Sequence, residues 1–115
     1  MSLASTVAHA PPQHMQALAH ANRVRLARAS LKRSVLAGQL DVVQVIRTCP
    51  WEVETMTVGE LLRSQRRWGR TRARKFLLSL ALSENKRLGT LTHRQRLMLA
   101  NELSAKTGER YALAV

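Results

Sequence analysis

From Gln13 to about Ala37 the chain runs without a Gly or Pro and is dominated by good helix formers, so one long helix must be accommodated by whatever fold forms. Within it Ala17, Ala21, Val24, Ala27, Leu31 and Val35 recur at spacings of 4, 3, 3, 4 and 4, which predicts a single apolar face. Arg23, Arg25, Arg28, Lys32 and Arg33 fall on the other face. Gly38 is the expected stop signal. The preceding residues 1–12 are rich in Ala, Ser and Thr and end in Pro11-Pro12, which reads as a flexible lead.

The rest of the chain carries shorter helical signals. Leu40 to Arg47 is a second helix. Its β-branched residues suit a strand equally, but Asp41 is a good cap and no partner strand is apparent. Thr57-Val58-Gly59-Glu60 has the form of a capping box, with Met56 and Leu61 placed as a hydrophobic staple, and it opens a third helix over 58–65. Arg66-Arg67-Trp68-Gly69 is a tight turn. A fourth helix follows from Arg70 to Leu82, with Ala73, Phe76, Leu77 and Leu80 inward. Ser83 to Leu91 is a second connection, holding Lys86-Arg87 and Gly89. Thr92-His93-Arg94-Gln95 is another capping box and begins a fifth helix to about Ser104, with Gly108 ending the ordered part. The expected fold is all-α: a lead over 1–12, a long basic amphipathic helix over 13–38, a helical domain over 39–104 and a tail over 105–115.

Charge narrows the function. Lys and Arg total 19 against 7 Asp and Glu, for a net charge of +12 on 115 residues. Such asymmetry points to a polyanion, either nucleic acid or an anionic membrane surface. Apolar residues make up 45%, enough for a core, so the chain is not a disordered basic tail. Aromatic residues at 3% argue against stacking of unpaired bases. Apolar runs are only a few residues long, so no membrane span is expected. The first residues do not form a charged and then apolar leader. A lone Cys excludes a disulfide framework and a Cys-based zinc finger, and a reducing cytoplasm is the expected compartment. The length is that of one domain with a modest core and no separate catalytic domain.

The cations are concentrated. Residues 63–75 hold Arg63, Arg66, Arg67, Arg70, Arg72, Arg74 and Lys75 with no acid among them. The cluster spans a helix end, a turn and a helix start, which is a geometry suited to phosphate. Gly69 is expected to let the backbone approach closely, the following helix offers free N–H groups and its positive dipole end, and arginines add bidentate charged bonds. Lys86-Arg87 with Gly89 forms a smaller cationic loop, about 18 Å away along one helix. Two basic turns so spaced suit phosphates on either side of a groove. Arg25, Arg28 and Lys32 on the first helix form a third basic element.

Other chemistries find little support. His9, His14, His20 and His93 show no i, i+4 pairing, so no metal site is expected. Cys49, between Thr48 and Pro50, reads as a small buried residue rather than a nucleophile. No Gly-rich nucleotide loop occurs, and neither a catalytic residue nor a cofactor is expected. Trp51 and Trp68 read as packing residues, although Trp68 within the cationic turn could instead wedge against a sugar or base step.

Over roughly residues 12–103 the sequence resembles the actinobacterial integration host factors, small nucleoid proteins of mycobacteria and streptomycetes. The likeness begins at Ala27-Arg28-Ala29-Ser30-Leu31-Lys32 and continues through Asp41 to Ile46 and Met56-Thr57-Val58-Gly59-Glu60-Leu61-Leu62. It includes Gly69-Arg70-Thr71-Arg72-Ala73, similar to the family's Gly-Lys-x-Arg-Ala turn, and closes with Lys86-Arg87, Leu91 and Gln95-Arg96. The resemblance implies a long helix packed on a helix-two-turn-helix domain. It also implies duplex DNA as the partner, contacted at minor groove and backbone through both turns, with little sequence preference and with bending. Implied roles are nucleoid organisation, DNA condensation and support of recombination in an integrase–DNA complex, by a protein expected to be a monomer.

Three departures mark a divergent member, of the kind a phage could carry. The family turn Pro-Gly-x-Gly keeps only Gly69, with Arg66 and Arg67 at its first two positions. The second turn, Arg-Arg-x-Arg-Gly in the family, is Lys86-Arg87-Leu88-Gly89-Thr90 here and loses a cation. The stretch from about Ser104 to Val115 has no family counterpart. Alternative readings are an RNA or ribosome binder, since a ribosomal protein shares the domain, and a phage mimic that interferes with the host factor. A DNA glycosylase built on the same domain is disfavoured by Met1-Ser2-Leu3 in place of an N-terminal Pro, by the isolated Cys49 and by the lack of a catalytic domain.

Overall fold

The computed structural model describes residues 12–114, with side chains through residue 107. The expected flexible lead therefore lies outside the described residues, apart from Pro12. Five α-helices and two short 3-10 turns make up the described chain, in an all-α fold.

Helix α1 spans Gln13–Leu36, a rod of about 36 Å. It ends as expected at Gly38, whose φ of 78° completes a Schellman cap: Gly38 N–H donates to Val35 O at 3.1 Å and Gln39 N–H to Ser34 O at 2.9 Å. The apolar stripe is used over only half its length. Leu31 and Val35 are buried and Val24 and Ala27 half-buried, but Ala17 and Ala21 are exposed. The rod is longer than the body it packs on. A second apolar row, Met15, Leu18, Leu26 and Leu36, lies on the opposite side by helical geometry and is 50–67% exposed.

Helix α2 covers Val42–Thr48, and the Asp41 carboxylate accepts from Val43 N–H at 3.0 Å, which settles this segment as helix. Its four β-branched apolar residues Val42, Val43, Val45 and Ile46 are all buried. A 3-10 turn at Trp51–Val53 follows. Helix α3, Val58–Arg63, starts at Thr57, whose hydroxyl accepts from Glu60 N–H at 3.1 Å. The box is half closed, because the Glu60 carboxylate turns instead to Lys32 Nζ at 3.0 Å. The staple residues Met56 and Leu61 are fully buried.

Helix α4 runs Arg70–Ser79, three residues short of the expected end at Leu82. Ala81 stands at φ 57° and Leu82 N–H donates to Leu77 O at 3.0 Å, so the helix stops in a Schellman cap with alanine at the left-handed position. Burial of both Leu77 and Leu82 holds that cap closed. Of the expected inward residues Ala73, Phe76 and Leu77 are buried, while Leu80 is half-buried. Helix α5 begins at His93 behind a fully reciprocal capping box: Thr92 N–H donates to Gln95 Oε1 at 2.9 Å and Gln95 N–H to the Thr92 hydroxyl at 3.1 Å. It continues to Ala114, past the expected end at Ser104 and through Gly108. One glycine weakens a helix by about 1 kcal/mol relative to alanine, and the Ala, Leu, Lys and Glu residues around it outweigh that.

Helix α2 packs on α5, α3 on α4, and α1 on the Trp51–Val53 turn. Ile46, Met56, Leu61, Leu62, Leu88 and Leu99 lie fully buried where these elements meet. The connection after α4 is sewn to the start of α3 by main-chain bonds. Gly59 N–H donates to Glu84 O at 3.0 Å, Val58 N–H to Lys86 O at 2.8 Å and Leu88 N–H to Met56 O at 3.0 Å, around an antiparallel bridge between Thr57 and Arg87. Both turns are thereby set against one body.

Candidate nucleic-acid interface

The first turn links α3 to α4. Trp68 N–H donates to Gln65 O at 3.2 Å, and Arg67 takes a left-handed φ of 69°. Arg67 occupies the second position of the Pro-Gly-x-Gly pattern, so an arginine carries a conformation that costs a non-glycine residue roughly 1 kcal/mol. Gly69, by contrast, caps α4 at φ −85° and ψ −179°, an extended conformation open to any residue. A Cβ there would meet nothing within 4 Å. Open space, not backbone geometry, is what Gly69 contributes. No side chain caps α4, and its first N–H groups stay available to an anion.

Trp68 is a packing residue. It is 7% exposed, meets Phe76 edge-on at 5.5 Å and 88°, and carries the Arg72 guanidinium over its ring at 4.2 Å. Arg72 Nη1 also reaches Arg67 O at 3.5 Å. The tryptophan therefore does not offer a wedge to a base step. It is a shelf that holds Arg72 in place by cation–π attraction. Trp51, expected to pack, is instead 55% exposed, because its 3-10 turn buries Val53 and directs the ring outward.

The cations divide by their partners. Arg74 Nη2 lies 3.1 Å from Glu84 Oε1, and Arg63 Nη1 lies 3.9 Å from Glu84 Oε2, beyond hydrogen-bond reach. One acid from the second connection thus holds two cations of the first cluster. Arg66, Arg67, Arg70, Arg72 and Lys75 have no acidic partner among the described residues. All five side chains are exposed, and so is Thr71. In the second turn Arg87 is exposed and Lys86 half-buried, and neither has an ion pair among the described residues. Gly89, unlike Gly69, is packed against its own chain. Its N–H donates to Glu54 O at 2.9 Å, and a Cβ would stand 2.9 Å from that same oxygen. Its missing side chain is used inside the protein.

Two of the three α1 cations expected at the interface are engaged inside the protein. Arg28 Nε donates to Glu52 O at 3.1 Å and Nη2 donates to the Thr55 hydroxyl, so Arg28 joins α1 to the 3-10 turn instead of lying clear of the packed face. Lys32 pairs with Glu60 at 3.0 Å. Arg25 is exposed, and among the described residues it is bonded only to Asn22 Oδ1 at 2.7 Å.

No protein-family model and no curated protein matches the sequence. A solved structure of sIHF bound to an 8-bp palindromic DNA matches with a TM-score of 0.65 and 27% identity, over 72% of this chain and 96% of that one. The fold is integration-host-factor-like. Among the described residues no helix is long and apolar enough to cross a membrane.

Two residues escaped the sequence reading. Arg96, half-buried on α5, donates to Ile46 O and to Leu88 O, both at 2.8 Å, and so ties the end of α2 to the second turn. In the sequence Arg96 figures only as part of the family likeness, with no sign that it is drawn inward. Lys106 reaches the first turn because α5 does not stop at Ser104, and Gly108 had hidden that continuation.

Proposed function

We propose that this chain is a non-enzymatic architectural protein that binds duplex DNA with little sequence preference, a divergent member of the actinobacterial integration host factors. One observation carries the reading: an integration-host-factor-like fold exposes five cations free of internal acids around the uncapped start of α4. Phosphate contacts of this kind position a protein without reading bases. The two turns, fixed to one body, grip backbone on both sides of the minor groove and draw the flanking phosphates inward. A bend of 40–90° needs about 1–6 kcal/mol, within reach of several such contacts. The protein acts as a monomer in the nucleoid, on DNA alone or within integrase–DNA complexes, and needs no cofactor.

If about four to six phosphates are neutralised, log K falls with log salt with a slope of roughly −3.5 to −5.5. Replacing both Arg70 and Arg72 by Ala lowers affinity for unrelated duplexes alike, by about 1–3 kcal/mol. Gel shifts on unrelated DNA duplexes and an RNA duplex of equal length test the reading. A flat salt dependence, strong selection of one sequence, or preference for the RNA duplex refutes it.

A further inference from the structure

The continuation of α5 creates a site that the two turns do not explain. Two adjoining clefts, about 340 and 580 Å³ in volume, share Trp68, Arg72 and Lys106 in their walls. The larger adds Thr71, Lys75, Phe76 and Ser79, and no acid lines it. The smaller adds Arg66 and one acid, Asp41, whose carboxylate already accepts from Val43 N–H as the cap of α2. Lys75 and Lys106 have no hydrogen-bond or ion-pair partner among the described residues. Glu102, one helical turn before Lys106, lines neither cleft. The apolar floor is closed, since Trp68 and Phe76 are each 7% exposed. What remains open is charge: a guanidinium held over an indole, two ammonium groups and the hydroxyls of Thr71 and Ser79, brought together from two helices.

We propose that Arg72, Lys75 and Lys106 form a phosphate-binding cleft, with α5 supplying a DNA contact outside the two turns. Arg72 offers a fixed fork of donors and the lysines offer adaptable point charges, a combination suited to a phosphate group. The larger cleft sets the three like charges together with no acid in its wall, so an anion bound there lowers their mutual repulsion. The proposal rests on the duplex reading above for its supply of phosphate. The track leads from the start of α4 across Arg72 to α5, and it lengthens the backbone footprint. A free polyphosphate presents the same chemistry from a different source.

The test compares the full chain with Lys106→Ala, Lys106→Arg and, as a control of equal charge loss elsewhere, Arg47→Ala. Duplex affinity is read by fluorescence anisotropy across a salt series, and thermal melts confirm folding. Loss of one phosphate contact makes the salt slope shallower by about 0.9 and weakens binding roughly eightfold at 0.1 M salt. Lys106→Ala is expected to show both effects, Lys106→Arg to retain wild-type behaviour and Arg47→Ala to keep the wild-type slope. A parallel titration with tripolyphosphate, in the absence of DNA, addresses the second source. Lys106-dependent tripolyphosphate binding with unchanged duplex affinity supports the cleft but assigns it to free polyphosphate. If neither ligand responds to Lys106→Ala, or if Arg47→Ala matches it, the cleft is overturned while duplex binding stands. If the wild-type chain fails to bind duplex at all, the proposed function falls, and only the tripolyphosphate result bears on the cleft.

Discussion

Alanine substituted for glycine in each of the two turns should give opposite phenotypes. At Gly89 a Cβ would lie 2.9 Å from Glu54 O and 3.2 Å from Glu54 Cβ. Neither neighbour can yield alone, since one is main chain and the other is rooted in it. The turn must move out, which also stretches the Gly89 N–H bond to Glu54 O, now 2.9 Å. Overpacking costs about 1–3 kcal/mol and a weakened hydrogen bond about 0.5–1.5 kcal/mol. A total of about 1.5–4.5 kcal/mol lowers Tm by roughly 6–20 °C in a domain of this size. At Gly69 nothing lies within 4 Å and φ is −85°. Stiffening the unfolded chain there stabilises by about 0.4–1 kcal/mol, and losing glycine as a helix cap costs about as much. The melt should stay within about 3 °C of wild type. Duplex affinity should nonetheless fall, because the methyl group occupies the open space where backbone phosphate approaches. Thermal melts and anisotropy titrations of both variants measure the contrast. Equal melting temperatures for the two variants, or a Gly69→Ala protein that melts low and binds normally, would refute the reasoning.

Ala81→Gly should raise stability by about 0.5–1 kcal/mol, seen as a higher urea midpoint at unchanged m, because glycine fits the left-handed cap that alanine now occupies. Arg96→Ala strips the buried Ile46 and Leu88 carbonyls of their donor, and chemical denaturation should show a loss of about 2–4 kcal/mol, with Arg96→Lys recovering only part of it.

The strongest signals in the sequence were those with local causes. Both capping boxes, the Asp41 cap and the Gly38 stop arise within a few residues of one another, and each marks a real helix boundary. The α4 end was not legible, because its cap has no glycine: Leu77 and Leu82 force Ala81 into place through burial, which only tertiary packing creates. The same holds for the basic residues. Their density pointed to the first turn, but which of them stay free depends on Glu84, Glu60 and the Glu52 carbonyl, brought in from distant parts of the chain. Gly69 and Gly89 looked equivalent as letters, and only their neighbours distinguish them.

Among the described residues helix α1 is buried only toward its C-terminal end, and that has a dynamic consequence. The residues around Leu31 and Val35 provide a permanent nucleus, so the half from Gln13 to Arg23 has only to propagate. Propagation is close to neutral per residue, with an equilibrium factor of about 1–1.6 for good helix formers. The exposed half therefore behaves as a zipper closed at its base. Amide hydrogens near Leu31 should exchange only through opening of the whole domain, and those toward Gln13 progressively faster through fraying, with no single boundary between the two regimes. Leu18, about 20 Å along the axis from Leu31, marks the breathing end of a lever whose fulcrum is the domain core.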